Sequence, residues 1–163
     1  MIILLKNKQR LVIDSFVFKC CLGKKGVTQF KKEGDLKTPK GIFKIENLYY
    51  RKDRIKKPNT KLKCIVIKKN MGWCDDVKSN KYNQLIKVNN GISHEKLYRR
   101  DYKYDLFIPI KYNFIKPKRG KGSCIFLHLT KNYHPTSGCI ALSKKDFLIM
   151  LKLIEKKTKI KIS

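Results

Sequence analysis

Acidic residues are scarce in this chain. Twelve Asp and Glu stand against 40 Lys and Arg in 163 residues, a formal net charge of +28. A balance of that kind favours anionic polymers or surfaces as partners. Arginine is also rare: six residues, the remaining basic side chains being lysine. Readers of nucleic-acid bases depend on the bidentate arginine fork, and the lysines are spread along the whole chain. A dedicated nucleic-acid binder is therefore not expected. The accompanying abundance of Ile, Asn and Tyr points instead to AT-rich coding. Long apolar runs are missing too. The first, Ile2–Leu5, has four residues, short of both a secretory core of about 7–15 and a membrane span of about 20. On the sequence alone the expectation is a soluble, cytoplasmic chain, or a periplasmic or wall protein if another route exports it.

Metal and phosphate signatures are absent as well. The six cysteines, Cys20, Cys21, Cys64, Cys74, Cys124 and Cys139, include no C-x-x-C pair, and no H-E-x-x-H occurs. Structural and catalytic zinc sites need such spacings, so neither metal nor cofactor is expected. Gly120-Lys-Gly122 lacks the strand–loop–helix setting of a phosphate loop. The chain is long enough for a core that needs no disulfides, and the cysteines read as free thiols.

What is present is β-rich. Apolar runs at 2–5 and 10–13 predict a hairpin, followed by a strand from Phe16. A loop from Lys24 to Lys40 and strands over 41–50, 62–67 and 104–112 come next. Pro109 marks the last of these as an edge or bulge. Residues 71–83 read as a polar loop holding Trp73, the only tryptophan, and His94–Tyr98 as a helical turn. Ser143-Lys-Lys-Asp146 has capping-box form. Phe147, Met150, Leu151 and Ile154 recur at helical spacing, which predicts a helix over about 144–156. Lys159–Ile162 alternates like a closing strand. The expected fold is a single domain over 1–163, mainly β (α+β), sandwich- or barrel-like, with one C-terminal amphipathic helix and a monomeric state.

One stretch concentrates chemistry. An apolar strand, Cys124–Thr130, carries His128, and a polar loop then closes on Thr136-Ser137-Gly138-Cys139, eleven residues beyond the histidine. Thiol catalysis needs a thiolate, a base that makes it, and backbone donors for the oxyanion. Cys139 is the candidate nucleophile and His128 the candidate base. The N–H groups around Ser137, Gly138 and Cys139 are candidate oxyanion donors, with Thr136 and Ser137 fixing the turn. His134 reads as an exposed residue at the cleft rim. Asp76, beside Asp75, is a candidate loop cap or contact for a cationic substrate, and Trp73 a further cleft residue.

These residues resemble the L,D-transpeptidase catalytic domain (YkuD-like) family. The resemblance rests on His128 with Thr136-Ser-Gly-Cys139-Ile-Ala-Leu142, and on Glu33-Gly34-Asp35…Thr38-Pro39…Gly41-Ile-Phe43, which is similar to the family's Thr-Pro-x-Gly-x-Phe element. Gly72-Trp-Cys-Asp-Asp76 with Tyr82-Asn83 resembles a small bacterial branch. It implies an acyl transferase on peptidoglycan stem peptides, with Cys139 as nucleophile and His128 as acid/base. Terminal D-Ala would leave, and a second stem's amine would accept the acyl group in a 3→3 crosslink. Acylation by carbapenems is implied too. Water as acceptor would make the protein an L,D-carboxypeptidase, and a dead site would leave a basic module that holds an anionic polymer. Ser137 stands where the family has histidine, Ala141 where it has arginine, and Leu129 where it has glycine.

Overall fold

The computed structural model describes residues 1–88 and 91–163. The strands are β1 (Ile2–Lys6), β2 (Arg10–Ile13), β3 (Phe16–Cys21), β4 (Val27–Thr28), β5 (Thr38–Pro39), β6 (Gly41–Lys44), β7 (Leu48–Tyr50), β8 (Cys64–Val66), β9 (Met71–Cys74), β10 (Leu85–Lys87), β11 (His94–Lys96), β12 (Leu106–Pro109), β13 (Phe126–Leu129), β14 (Ile140–Leu142) and β15 (Lys159–Ile162). One helix, α1 (Lys144–Leu153), lies between the last two. Ten strands form one sheet in the order β6-β15-β1-β2-β3-β14-β13-β12-β7-β8. A bridge between Ile45 and Ile110 ties the chain leaving β6 back to the end of β12, so the sheet curls on itself. The expected mainly β fold with one C-terminal helix is what the chain forms. Among the described residues no helix is long and apolar enough to cross a membrane.

The curled sheet separates two cores. Leu127 and Leu129 of β13, with Ile140 and Leu142 of β14, join the larger one, which α1 closes with Phe147, Met150 and Leu151. Burying each of those three helix side chains is worth roughly 1.5–3 kcal/mol. Alternation sends Phe126 and His128 to the opposite face. There Phe126 and Cys139 belong to a smaller, aromatic core with Tyr49, Trp73, Tyr104 and Phe107. The two faces of one strand thus divide structural packing from the candidate chemistry.

The hairpin of β1 and β2 and the closing β15 lie where the sequence placed them. Four expectations are corrected. The helix stops at Leu153 rather than about 156. Ile154 is already extended and fully buried, and Glu155 and Thr158 form a tight turn that aims β15 along β1. His94–Lys96 is a strand, not a helical turn, because it pairs with β9; that same pairing makes Met71–Cys74 a strand inside the expected loop. The 41–50 strand is split into β6 and β7. Finally, β12 is internal, flanked by β7 and β13. Pro109 ends β12, beyond its pairing with β7, and its carbonyl still accepts from Glu46 N–H. All six cysteines are free.

Candidate active site

Parallel pairing of β13 with β14 sets His128 opposite Ala141 and Leu127 opposite Ile140. Paired residues share a face, and one position earlier this register carries Phe126 and Cys139. The histidine and the thiol therefore open on the same side of the sheet, and both line one cleft of about 450 Å³. Thr136, Ser137, Gly138 and Ala141 line it too, and the exposed His134 stands at its rim.

The turn before Cys139 is tied down locally and from a distance. The Thr136 hydroxyl donates to the Cys139 carbonyl at 2.6 Å and accepts from Gly138 N–H at 3.0 Å. Gly138 N–H is thus committed to the turn, which leaves Ser137 and Cys139 as the expected donors to an oxyanion. Gly138 has φ +144°, and a Cβ there would lie 2.9 Å from the Lys37 carbonyl oxygen. Only glycine fits against that loop. The Thr-Pro element explains why the loop is there. Thr38, fully buried, accepts from Gly23 N–H at 2.9 Å, and Gly23 forms a bridge with Thr136. Asp35 gathers the same loop by accepting from Lys31 Nζ and from the backbone of Lys32 and Lys37. Burial opposes its ionisation, yet these bonds together hold its carboxyl below the usual range.

Electrostatics keep both candidate groups neutral at rest. Burial pushes the Cys139 thiol up to about 12, although its sulfur accepts from Phe126 N–H at 3.3 Å. Burial also pushes His128 down to about 4. The Nδ1 of His128 lies 2.9 Å from the Leu129 carbonyl. A carbonyl only accepts, so Nδ1 carries the proton and Nε2 keeps a free lone pair. Among the described residues no hydrogen bond joins His128 to the sulfur. The thiol donates instead to the Cys124 carbonyl at 3.1 Å. The resting pair is neutral thiol and neutral imidazole, so a thiolate forms there only as the proton leaves the sulfur.

A second layer holds Cys124 in place. Asn83 Oδ1 accepts from Cys124 N–H at 3.1 Å and from Trp73 Nε1 at 2.9 Å, while its Nδ2 donates to the carbonyls of Tyr112 and Asn113. Glu33 accepts from the hydroxyls of Tyr82 and Ser123, which pins the segment leading into β13. Across the cleft, Glu95 accepts from Arg99 and Tyr104, and the Tyr104 ring meets His128 edge-on at 5.4 Å. Lys31, Arg99 and Lys103 balance Glu33, Asp75 and Glu95 around the opening.

Two expected cleft residues lie elsewhere. Trp73 is buried behind the floor, packed against Phe126 and Tyr49. Asp75, rather than Asp76, lines the cleft; Asp76 caps a turn through Lys78 N–H. Sequence reasoning assigned no role to Asn83, Cys124, Glu95 or Tyr104. The side chains of Asn83, Glu95 and Tyr104 arrive from remote segments, with only the quoted Tyr82-Asn83 pair as a signal, whereas Cys124 begins the stretch that carries His128.

The profile of the L,D-transpeptidase catalytic domain matches residues 1–162. The chain belongs to this family. Among solved structures it is similar to the helical cell shape determining protein Pgp2 from Campylobacter jejuni. The identity is 19% and the TM-score 0.50, over 98% of this chain and 46% of that one. It is also similar to Bd1075 from Bdellovibrio bacteriovorus, with 17% identity and TM-score 0.46 over 99% of this chain and 47% of that one. This L,D-transpeptidase-family chain therefore spans under half the length of either, and the likeness is one of fold. Comparison with curated proteins gives no match.

Proposed function

We propose that the chain is a thiol acyl transferase of the L,D-transpeptidase type, acting on peptidoglycan stem peptides. The observation that carries this reading is the placement of Cys139 and His128 on one face of adjacent parallel strands, lining one cleft. The Cys139 sulfur attacks the carbonyl that precedes the terminal D-Ala as its proton passes to His128 Nε2. The oxyanion is met by the backbone N–H groups of Ser137 and Cys139. Collapse breaks the peptide bond, and D-Ala leaves with the proton returned by imidazolium. The resulting thioester is then attacked by a side-chain amine of a second stem, which gives the 3→3 crosslink and frees the thiol. If water attacks instead, the same thioester yields a shortened stem, the L,D-carboxypeptidase outcome.

Intact-mass measurement after exposure to a carbapenem tests the thiol chemistry. One adduct on the wild type that is lost in Cys139→Ala is expected; no adduct, or one that persists in the variant, overturns it. Tetrapeptide stems with and without an acceptor amine then separate transfer from hydrolysis by product mass.

A further inference from the structure

A second concavity, of about 770 Å³, shares no lining residue with the cleft. Its floor is apolar: Ile45 and Leu62, both buried members of the larger core. Its walls come from the end of β6, the segment before β8, and the connection from α1 to β15. They carry Lys44, Lys61, Lys63, Lys156, Lys157 and Lys159, all exposed. Lys111 also lines the groove, paired at 2.5 Å with Glu46, the only acidic residue in the lining. Among the described residues the other six ammonium groups have no carboxylate within ion-pair reach.

This charge is not simply the chain's average laid over its surface. Lysine is 34 of 163 residues but seven of the eleven that line the groove, whereas both signs are balanced around the cleft. Like charges gathered in one concavity repel one another in the folded state. A polyanion bound there removes that repulsion and releases its own counterions.

From this we propose that the groove is a binding site for a linear phosphate-bearing polyanion, separate from the cleft. Three features select that class. The lining is concave, which suits a chain rather than a flat bilayer. It has no arginine, so no planar bidentate fork is on offer, and lysine serves phosphate as a point charge. It has no aromatic residue, so bases of a nucleic acid would find nothing to stack on. The polymer is held by its backbone charge alone.

Long-chain inorganic polyphosphate is the probe, with binding followed by thermal shift and by titration across salt. Two triple variants carry the same net charge: Lys61→Gln/Lys63→Gln/Lys157→Gln in the groove, and Lys69→Gln/Lys78→Gln/Lys87→Gln at exposed positions elsewhere. The groove variant is expected to bind about tenfold or more weakly, with a salt slope shallower by roughly two, while the second binds as the wild type does. Without ligand the groove variant melts at or above the wild type, because repulsion is relieved; Lys61→Arg/Lys63→Arg/Lys157→Arg retains binding. Equal loss in both neutral triples overturns the proposal in favour of diffuse surface charge. Tighter binding of an oligonucleotide than of polyphosphate at equal phosphate content overturns the ligand class.

Discussion

The Cys139 thiol donates its hydrogen to the carbonyl of Cys124 at 3.1 Å, and Cys124 holds a left-handed backbone, φ 54°. The thiol is therefore parked on the chain that enters β13 rather than on the His128 ring. A side chain in that conformation is uncommon without a reason. Here Asn83 grips the Cys124 N–H, and the carbonyl on the other side of the residue meets the sulfur.

A parked, buried thiol should react only through its small thiolate fraction. Burial raises it to about 12, so alkylation of Cys139 by iodoacetamide in the free protein should rise about tenfold per pH unit from pH 7 to 10 without levelling off. Peptide-mapped mass spectrometry measures this. A plateau near neutral pH would reveal a preformed thiolate and contradict the neutral resting pair.

His128 should act at unusually low pH. Its folded value of about 4 lies below the ordinary 6.5, so the acid limb of kcat/KM should fall near pH 4. His128→Gln should lower acyl transfer by about 10²–10⁴-fold. The same depression is linked to stability. The unfolded chain binds the proton first, so the contribution is complete above about pH 6.5 and is lost as pH falls through 4. It amounts to roughly 3 kcal/mol. Urea unfolding at pH 7 and pH 4 should show a larger drop for wild type than for His128→Gln.

Asn83 should be costly to replace. Its side chain makes four hydrogen bonds, to Trp73, Cys124, Tyr112 and Asn113. Asn83→Ala leaves several buried partners unsatisfied, and a loss of about 2–4 kcal/mol is expected by urea titration. Asn83→Asp keeps the acceptors but loses the donors, so it should fall between. A loss under 1 kcal/mol for the alanine variant would remove Asn83 from this positioning role.

The turn carrying Cys139 should tolerate no side chain at position 138. Gly138→Ala meets the Lys37 carbonyl at 2.9 Å with φ +144°, and carbapenem acylation should slow at least about tenfold from displacement of the turn. Thr136→Val keeps the shape but removes both hydroxyl bonds. It should cost about 1–2 kcal/mol and slow acylation while thiol titre stays unchanged. Acylation at the wild-type rate in both would show that turn geometry does not limit the reaction.

Local signals were legible where one segment decides its own structure. The Ser143 cap and the 3.6-residue apolar period place α1, and alternation alone puts Phe126 and His128 on one face. The end of the helix and the strands at 71–74 and 94–96 were not legible. Each is set by a partner distant in the chain: β1 for the turn after Ile154, and mutual pairing for β9 and β11. Trp73 illustrates the same limit. A lone tryptophan in a polar stretch reads as a cleft residue, and only the packing of Phe126 and Tyr49 against it shows that it lies behind the floor.

By itself the sequence determined the chemistry on offer: a thiol after a glycine, a histidine on the preceding strand, and a turn built from Thr136 to Cys139. Those depend on residue type and short spacing, which a chain carries unfolded. Tertiary structure alone decided that the thiol is buried and parked on Cys124, that His128 stays neutral, and that Arg99 lines the cleft from another segment. It also decided that lysines spread over more than 100 residues meet in one groove. Burial and through-space charge depend on neighbours that only the folded sheet assembles.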